Sequence, residues 1–221
     1  MLELACGSGK LTIPLARELG AEGVEVVGLD ASAAMLGAAR ERAAAAGVRV
    51  ELAEGDMRRF ELGVGRLDFI FVAFNSLLHL HAADDLVACF ACVRRHLAPG
   101  GAFAFDVFNP RVDFLARRPD VREPFKRVGH PSLGEVTVEY TSDYDAATQV
   151  NRSTWYFSAP ARPDFRVEPL HLRSIFPQEL PLLVAAGGLR LEARHGDFDR
   201  SVFASASPRQ LCLCQAAEVA N

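Results

Sequence analysis

The residues of this chain best suited to chemistry stand at the ends of its apolar runs. The opening stretch Leu2-Glu3-Leu4-Ala5-Cys6-Gly7-Ser8-Gly9 passes from a short apolar run into small residues, where a main chain can approach a ligand that a Cβ would hold off. Asp30 closes the next apolar run about twenty residues on, the spacing at which a carboxylate accepts from both hydroxyls of a ribose. Gly55-Asp56-Met57 follows the third run. There Asp56 can accept from the exocyclic amine of adenine while the Met57 amide donates to the ring. Phe74-Asn75-Ser76 follows the fourth run. Any one of these positions arises often by chance; all four in this order point to a ligand that contains a nucleoside.

Placing such residues side by side takes a parallel sheet, because doubly wound sheets bind ligands at the carboxyl ends of their strands, where strand order reverses. The sequence supplies one. Short apolar runs at residues 1–4, 24–29, 48–52, 67–74 and 102–107 alternate with helix-length segments, the grammar of βαβ units. Leu11, Leu15 and Leu19 repeat at helical spacing, and Pro14 must fall in the first turn of that helix. Ser32 reads as the N-cap of a helix over Ala33–Ala46 that Gly47 ends, and Ala98-Pro99-Gly100-Gly101 reads as the stop of a helix beginning near Asp84.

After Asn109-Pro110 the grammar changes. Val136, Val138 and Tyr140 alternate with polar residues, 145–148 reads as a turn, and alternation resumes over 150–157 and again over 166–176. These segments predict an inserted three-stranded antiparallel layer with Pro169 on an edge strand. A helix over 177–186, in which Pro181 is awkward, and strands near 189–194 and 211–215 then complete the first sheet. The predicted organisation is a core over 1–109, an insert over 110–176 and a C-terminal completion of the core over 177–221.

Composition narrows the function classes. The chain has 221 residues, 50% hydrophobic and 24% charged, which suits one core with an insertion. A net charge of −4 and only small arginine clusters argue against a nucleic-acid partner. No apolar stretch has the length to span a bilayer and no secretion signal is evident, so no membrane partner and a cytoplasmic address are expected. Five cysteines lack framework spacing, and Cys89 and Cys92 fall inside a helix rather than at its start, so they read as packing residues.

The same site residues give the chain its resemblance to the class I S-adenosylmethionine-dependent methyltransferases, small-molecule type, notably sugar-amine N-methyltransferases and bacterial relatives. Glu3-Leu4-Ala5-Cys6-Gly7-Ser8-Gly9 is similar to their first motif, with Ala5 where many members have glycine, Asp30 to the second-strand acid, and Glu54-Gly55-Asp56-Met57 to the adenine motif. The resemblance implies a doubly wound, Rossmann-like α/β fold, a seven-stranded mostly parallel sheet with its last strand antiparallel, plus a small antiparallel sheet over the acceptor pocket. It implies S-adenosylmethionine as cofactor and S-adenosylhomocysteine as product. Glu3, Ala5, Cys6, Gly7, Gly9, Asp30, Ala31, Met35, Gly55, Asp56, Met57, Phe74 and Asn75 are the implied cofactor-binding residues.

Methyl transfer to an amine or hydroxyl needs alignment, exclusion of water and at most one proton acceptor, so no metal is expected. His79 and Asp106 are the candidate catalytic groups, and Asn109, Tyr156, His171 and Arg173 the candidate contacts to a small-molecule acceptor. Asn75-Ser76-Leu77-Leu78 lacks the Asn-Pro-Pro-aromatic run of amide and nucleobase-amine methyltransferases. Relatives carry helices before the first strand, so this chain is expected to bind cofactor weakly. An exposed edge of the insert is available for pairing with a second copy. Two rivals stand beside this reading. An NAD-dependent oxidoreductase needs G-x-G-x-x-G, which the spacing of Ala5, Gly7, Gly9 and Thr12 does not give. The other is a non-catalytic nucleoside-binding or scaffold protein.

Overall fold

The computed structural model describes residues 1–63 and 65–217. The chain divides into two units, one formed by Met1–Leu77, Ala82–Asn109 and the segment from Phe176 on, the other by Leu78–His81 and Pro110–Ile175.

The first unit begins with β1 (Leu2–Leu4), buried along its whole length, and α1 (Thr12–Gly20), which turns Thr12, Ile13 and Ala16 inward. Pro14 occupies the first turn of α1, where its missing N–H has no intrahelical partner to lose. Next come β2 (Val27–Asp30) and α2 (Ala33–Ala46), whose N-terminus is capped by the Ser32 hydroxyl accepting from the Met35 N–H at 3.3 Å. Gly47, at φ 65°, closes α2, and the Val48 N–H donates to Ala43 O at 3.0 Å. That bond makes Val48 part of the helix cap, so β3 (Glu51–Glu54) starts three residues later than the apolar run at 48–52 indicates. For the same reason β2 starts late: the Val24 N–H is spent on Leu19 O at the end of α1.

β4 (Leu67–Val72) leads to α3 (Ala83–His96), which buries Leu86, Cys89, Phe90, Cys92 and Val93. Both cysteines of the C-x-x-C therefore pack inward, and burial pushes the Cys89 thiol far up. β5 (Leu97–Phe108) begins directly after α3. The predicted stop at Ala98-Pro99-Gly100-Gly101 lies inside this strand as an irregularity: Leu67 pairs with Leu97 but Phe69 with Ala102, so the intervening residues loop out of register.

The second unit holds α4 (Val112–Leu115) and an antiparallel sheet of β6 (Glu123–His130), β7 (Gly134–Asp145), β8 (Val150–Ala159) and β9 (Arg162–Arg173), paired in that order. The sheet has four strands, not the predicted three. β6 escapes sequence reading because a bulge between Pro124 and Lys126 breaks the two-residue period and most of its residues are exposed. Pro169 does lie on an edge, since β9 pairs only with β8. Val136, Val138 and Ala159 form the core of this unit, with Trp155 and Phe157 packed against them.

Back in the first unit, α5 (Leu180–Ala186) starts only where Pro181 falls in its first turn; a start at 177 would have put the proline ring against a helical carbonyl. β10 (Leu189–His195) and β11 (Arg209–Ala216) pair antiparallel, and β11 lies antiparallel against β5. The completed sheet has seven strands in the order β10-β11-β5-β4-β1-β2-β3, with the reversal of strand order between β1 and β4. Among the described residues no helix is long and apolar enough to cross a membrane.

Candidate functional site

The carboxyl ends of β1 and β2 are locked together by one side chain. Asp30 accepts the Gly7 N–H on Oδ2 at 2.7 Å and the Ser32 N–H on Oδ1 at 2.8 Å, while the Cys6 N–H donates to Leu29 O at 3.0 Å. Each carboxylate oxygen thereby uses one of its two lone-pair directions and keeps one for a ligand hydroxyl. Ala5, Gly7 and Gly9 all take positive φ, at 54°, 53° and 72°. The two glycines serve different ends. A Cβ on Gly7 would meet nothing within 4 Å, so this residue borders open space; a Cβ on Gly9 would lie 2.8 Å from Ile13 Cδ1 and 3.4 Å from the Ala39 Cβ, so Gly9 lets the turn close onto α1 and α2.

Beneath this turn Glu3 is 3% exposed and accepts a short hydrogen bond from the Thr12 hydroxyl. Burial pushes the Glu3 carboxyl up to about 7, with Thr12 opposing and the nearby Asp30 charge adding to the rise. The Cys6 thiol is pushed up to about 12, again by burial first. Thr12, fully buried, is a site residue that the sequence did not announce, because a threonine opening a helix is ordinary.

At the end of β3 the Gly55 N–H donates to Asp30 O at 3.0 Å, tying the third strand end to the second. Asp56 is gripped by Arg58: the guanidinium donates to both carboxylate oxygens at 2.6–3.0 Å and its other arm reaches Asp85 at 2.9 Å. Arg58 holds the Asp56 carboxyl below the usual range. Arg58 is thus the clamp that orients Asp56. Met57 is half-buried, whereas Ala31 and Met35 are exposed.

At the end of β4, Phe74 and Asn75 are consecutive left-handed residues at φ 58° and 61°. The Phe74 N–H donates to Asp106 Oδ1 at 2.9 Å, and Arg209 donates to Asp106 Oδ2 at 3.1 Å. Asp106 is 3% exposed, and burial raises its carboxyl despite those partners. Buried and holding one donor on each oxygen, Asp106 ties the β4 exit to Arg209. Arg209, anchored in turn on Asp197 at 2.7 Å, comes from the far end of the sequence, and no local pattern marks it. The Asn109 amide donates to Ser205 O at 3.2 Å and Ser207 O at 3.0 Å, which makes it a brace for that loop.

The remaining candidates belong to the second unit. His79 closes a 3-10 turn at Ser76–His79 and is exposed; partial desolvation, with His81 adding, lowers its imidazole. Arg173 is buried and spans from His81 O to Gln149 Oε1, both at 2.8 Å. His171 offers its main-chain carbonyl to His81 Nε2 at 3.0 Å, and the Tyr156 ring lies 3.6 Å under the Arg122 guanidinium. Among the described residues no cluster of histidine, cysteine and carboxylate could hold a metal.

A family model described as a methyltransferase domain matches residues 1–101. Among curated proteins, YqeM of Bacillus subtilis is 35% identical over 109 residues, 49% of this chain and 42% of that protein. The chain spans about half the length of the curated relatives it matches. Among solved structures, the CcbJ methyltransferase from Streptomyces caelestis superimposes with a TM-score of 0.85 at 30% identity, over 98% of this chain and 83% of that one. CalS10 of Micromonospora echinaspora, an amino pentose methyltransferase solved with S-adenosylmethionine bound, shares the fold with a TM-score of 0.71 at 23% identity, over 98% of this chain and 82% of that one.

Proposed function

We propose that this chain, which belongs to the class I S-adenosylmethionine-dependent methyltransferases, methylates a nitrogen or oxygen of a small molecule and leaves S-adenosylhomocysteine. The observation that carries this reading is the Asp30 lock: a carboxylate that fixes the Gly7 turn by one lone pair per oxygen, keeps the others for a diol, and stands beside open space at Gly7.

The residues present fit the cofactor. Asp30 would take the ribose hydroxyls, Asp56, oriented by Arg58, and the Met57 amide would take the adenine, and Glu3 under the glycine turn would order the part of the site that receives the methionine moiety. When bound, the cofactor supplies an electrophilic methyl on a sulfonium that is already a good leaving group. This chain's contribution is alignment and exclusion of water. Asp106 holds the β4 exit, and His79, whose lowered pKa leaves it neutral near pH 7, is the candidate proton acceptor. Structural neighbours named as an amino pentose methyltransferase and a sugar N-methyltransferase favour nitrogen over oxygen. Five buried free thiols suit a reducing compartment, and a cytoplasmic address is part of the reading.

Isothermal titration with S-adenosylhomocysteine, S-adenosylmethionine and NAD tests it, followed by transfer of labelled methyl to paired amino and hydroxyl sugars. Binding of S-adenosylhomocysteine that Asp30→Ala abolishes is the expected result. Uptake of NAD instead would overturn it, and binding without transfer to any acceptor would return the silent nucleoside binder.

A further inference from the structure

The glycine turn has a back as well as a front. Gly7 borders open space on the side the cofactor is expected to use, while Gly9 packs on Ile13 of α1, whose Cδ1 would lie 2.8 Å from a Cβ at that position. Behind that packing, α1 and α2 leave a cleft of about 250 Å³ lined by Ile13, Pro14, Arg17, Glu18, Arg42 and Ala46. The methyl-transfer reading gives these six residues nothing to do.

The two arginines of the cleft are held only by neutral acceptors. Arg17 donates to Ala46 O at 3.1 Å, a carbonyl in the last turn of α2 that water can satisfy as well. Arg42 donates from one nitrogen to Ser8 O at 3.4 Å and Ser8 Oγ at 3.2 Å, and so reaches from α2 to the residue between Gly7 and Gly9. Among the described residues neither guanidinium pairs with a carboxylate, whereas Arg58, Arg111, Arg118 and Arg122 each do. A guanidinium prefers a carboxylate to such acceptors, because it can take both oxygens on parallel N–H bonds of about 2.8 Å.

The lining also defines what would fit. Two guanidinium groups against the single carboxylate of Glu18 leave one positive charge, the match for one anionic group. Ile13, Pro14 and Ala46 offer apolar surface to the rest of a ligand. At the ~30 Å³ that a water occupies in the liquid, the cleft has room for about eight non-hydrogen atoms, a carboxylate on a chain of about five carbons.

We propose that the cleft between α1 and α2 is a second ligand site, for a small carboxylate with a short apolar chain, and that filling it weakens cofactor binding through Arg42. The carboxylate competes with Ser8 for the Arg42 guanidinium and wins. The turn between Gly7 and Gly9 then loses its tie to α2, and the cofactor has to order a looser turn when it binds. Linkage makes the effect mutual, so the cofactor weakens the carboxylate by the same factor. The coupling, though not the site, rests on the function proposed above.

An NMR titration of the nitrogen-15-labelled chain with sodium hexanoate tests the site with no cofactor present. Hexanoate should shift the amide signals of Ile13, Arg17 and Arg42 saturably, with a Kd of about 1–10 mM, and hexylammonium chloride or sodium chloride at the same concentrations should not. Arg17→Gln and Arg42→Gln should each weaken hexanoate about fivefold. Calorimetry then tests the coupling. Saturating hexanoate should weaken S-adenosylhomocysteine about threefold in the unmodified chain and have no further effect in Arg42→Gln, where no tie to Ser8 is left to withdraw. Shifts that do not saturate, or equal shifts from hexylammonium, would overturn the site. Hexanoate binding that leaves S-adenosylhomocysteine affinity unaltered, or that alters it equally in Arg42→Gln, would overturn the route through Arg42. Should the unmodified chain bind no S-adenosylhomocysteine, the cofactor reading falls, and the hexanoate titration still decides the site.

Discussion

Gly7 and Gly9 sit two residues apart in one turn, yet the same substitution should injure different properties. Both have positive φ, so alanine at either position costs about 1 kcal/mol in backbone strain. At Gly9 the new methyl would also lie 2.8 Å and 3.0 Å from two carbons of Ile13, well inside van der Waals contact, and the Ile13 side chain is buried against the core. Overpacking of that kind adds about 2 kcal/mol, bringing Gly9→Ala to about 3 kcal/mol. For a chain of this length that is a fall in Tm of roughly 6–12 °C, against roughly 2–4 °C for Gly7→Ala. Ligand binding should show the reverse order. The Gly7 methyl would enter space that no protein atom fills and that the cofactor is expected to use. A clash worth about 2 kcal/mol weakens binding some thirtyfold. The methyl of Gly9→Ala points into the helices and should leave affinity within about threefold. Differential scanning calorimetry and titration of S-adenosylhomocysteine at a temperature where all three proteins are folded give the two readouts. Undiminished affinity in folded Gly7→Ala, or equal melting of the two variants, would refute this division of labour.

Three further outcomes follow from the buried groups. Glu3 titrates near 7 when folded against an ordinary value near 4.5, so the folded state retains a proton that the unfolded state has released between those pH values; stability falls as pH rises through that window, by about 3 kcal/mol in all. Urea midpoints at pH 5 and pH 8 should differ less for Glu3→Gln than for the unmodified protein, and an identical difference would show that Glu3 does not titrate there. Asp106→Ala strips Arg209 of a partner and releases the Phe74 N–H, so it should lower stability by about 2 kcal/mol in urea unfolding, whereas a neutral effect would deny the bracing role. A proton NMR titration should place the His79 imidazole below an ordinary histidine, since partial desolvation disfavours its cation; a midpoint at or above the ordinary value would remove it as a neutral proton acceptor.

What the sequence made legible was whatever depends on neighbours along the chain. Strand ends that pass into Gly7 or stop at Asp30, the Ser32 cap and the Gly47 stop are local patterns, and each stands where the pattern put it. Boundaries failed where one residue served two elements, as Val48 does by capping α2 when its apolar side chain alone would count it into a strand. β6 failed for a related reason, because its bulge destroys the period by which strands are read.

The site residues that went unread share a different cause. Thr12 and Arg209 act through partners set by the fold, Glu3 nine residues away and Asp106 more than a hundred, and Arg58, which grips Asp56 two residues away, is steadied by Asp85 twenty-seven away. Sequence therefore marked candidates for touching a ligand but not the groups that hold those candidates still. The distinction matters most at Asp106, whose position at a strand end marks it equally as an acid for the reaction and as a brace. In the fold its burial and the bonds from the Phe74 N–H and Arg209 tie it to the β4 exit, the work of a brace.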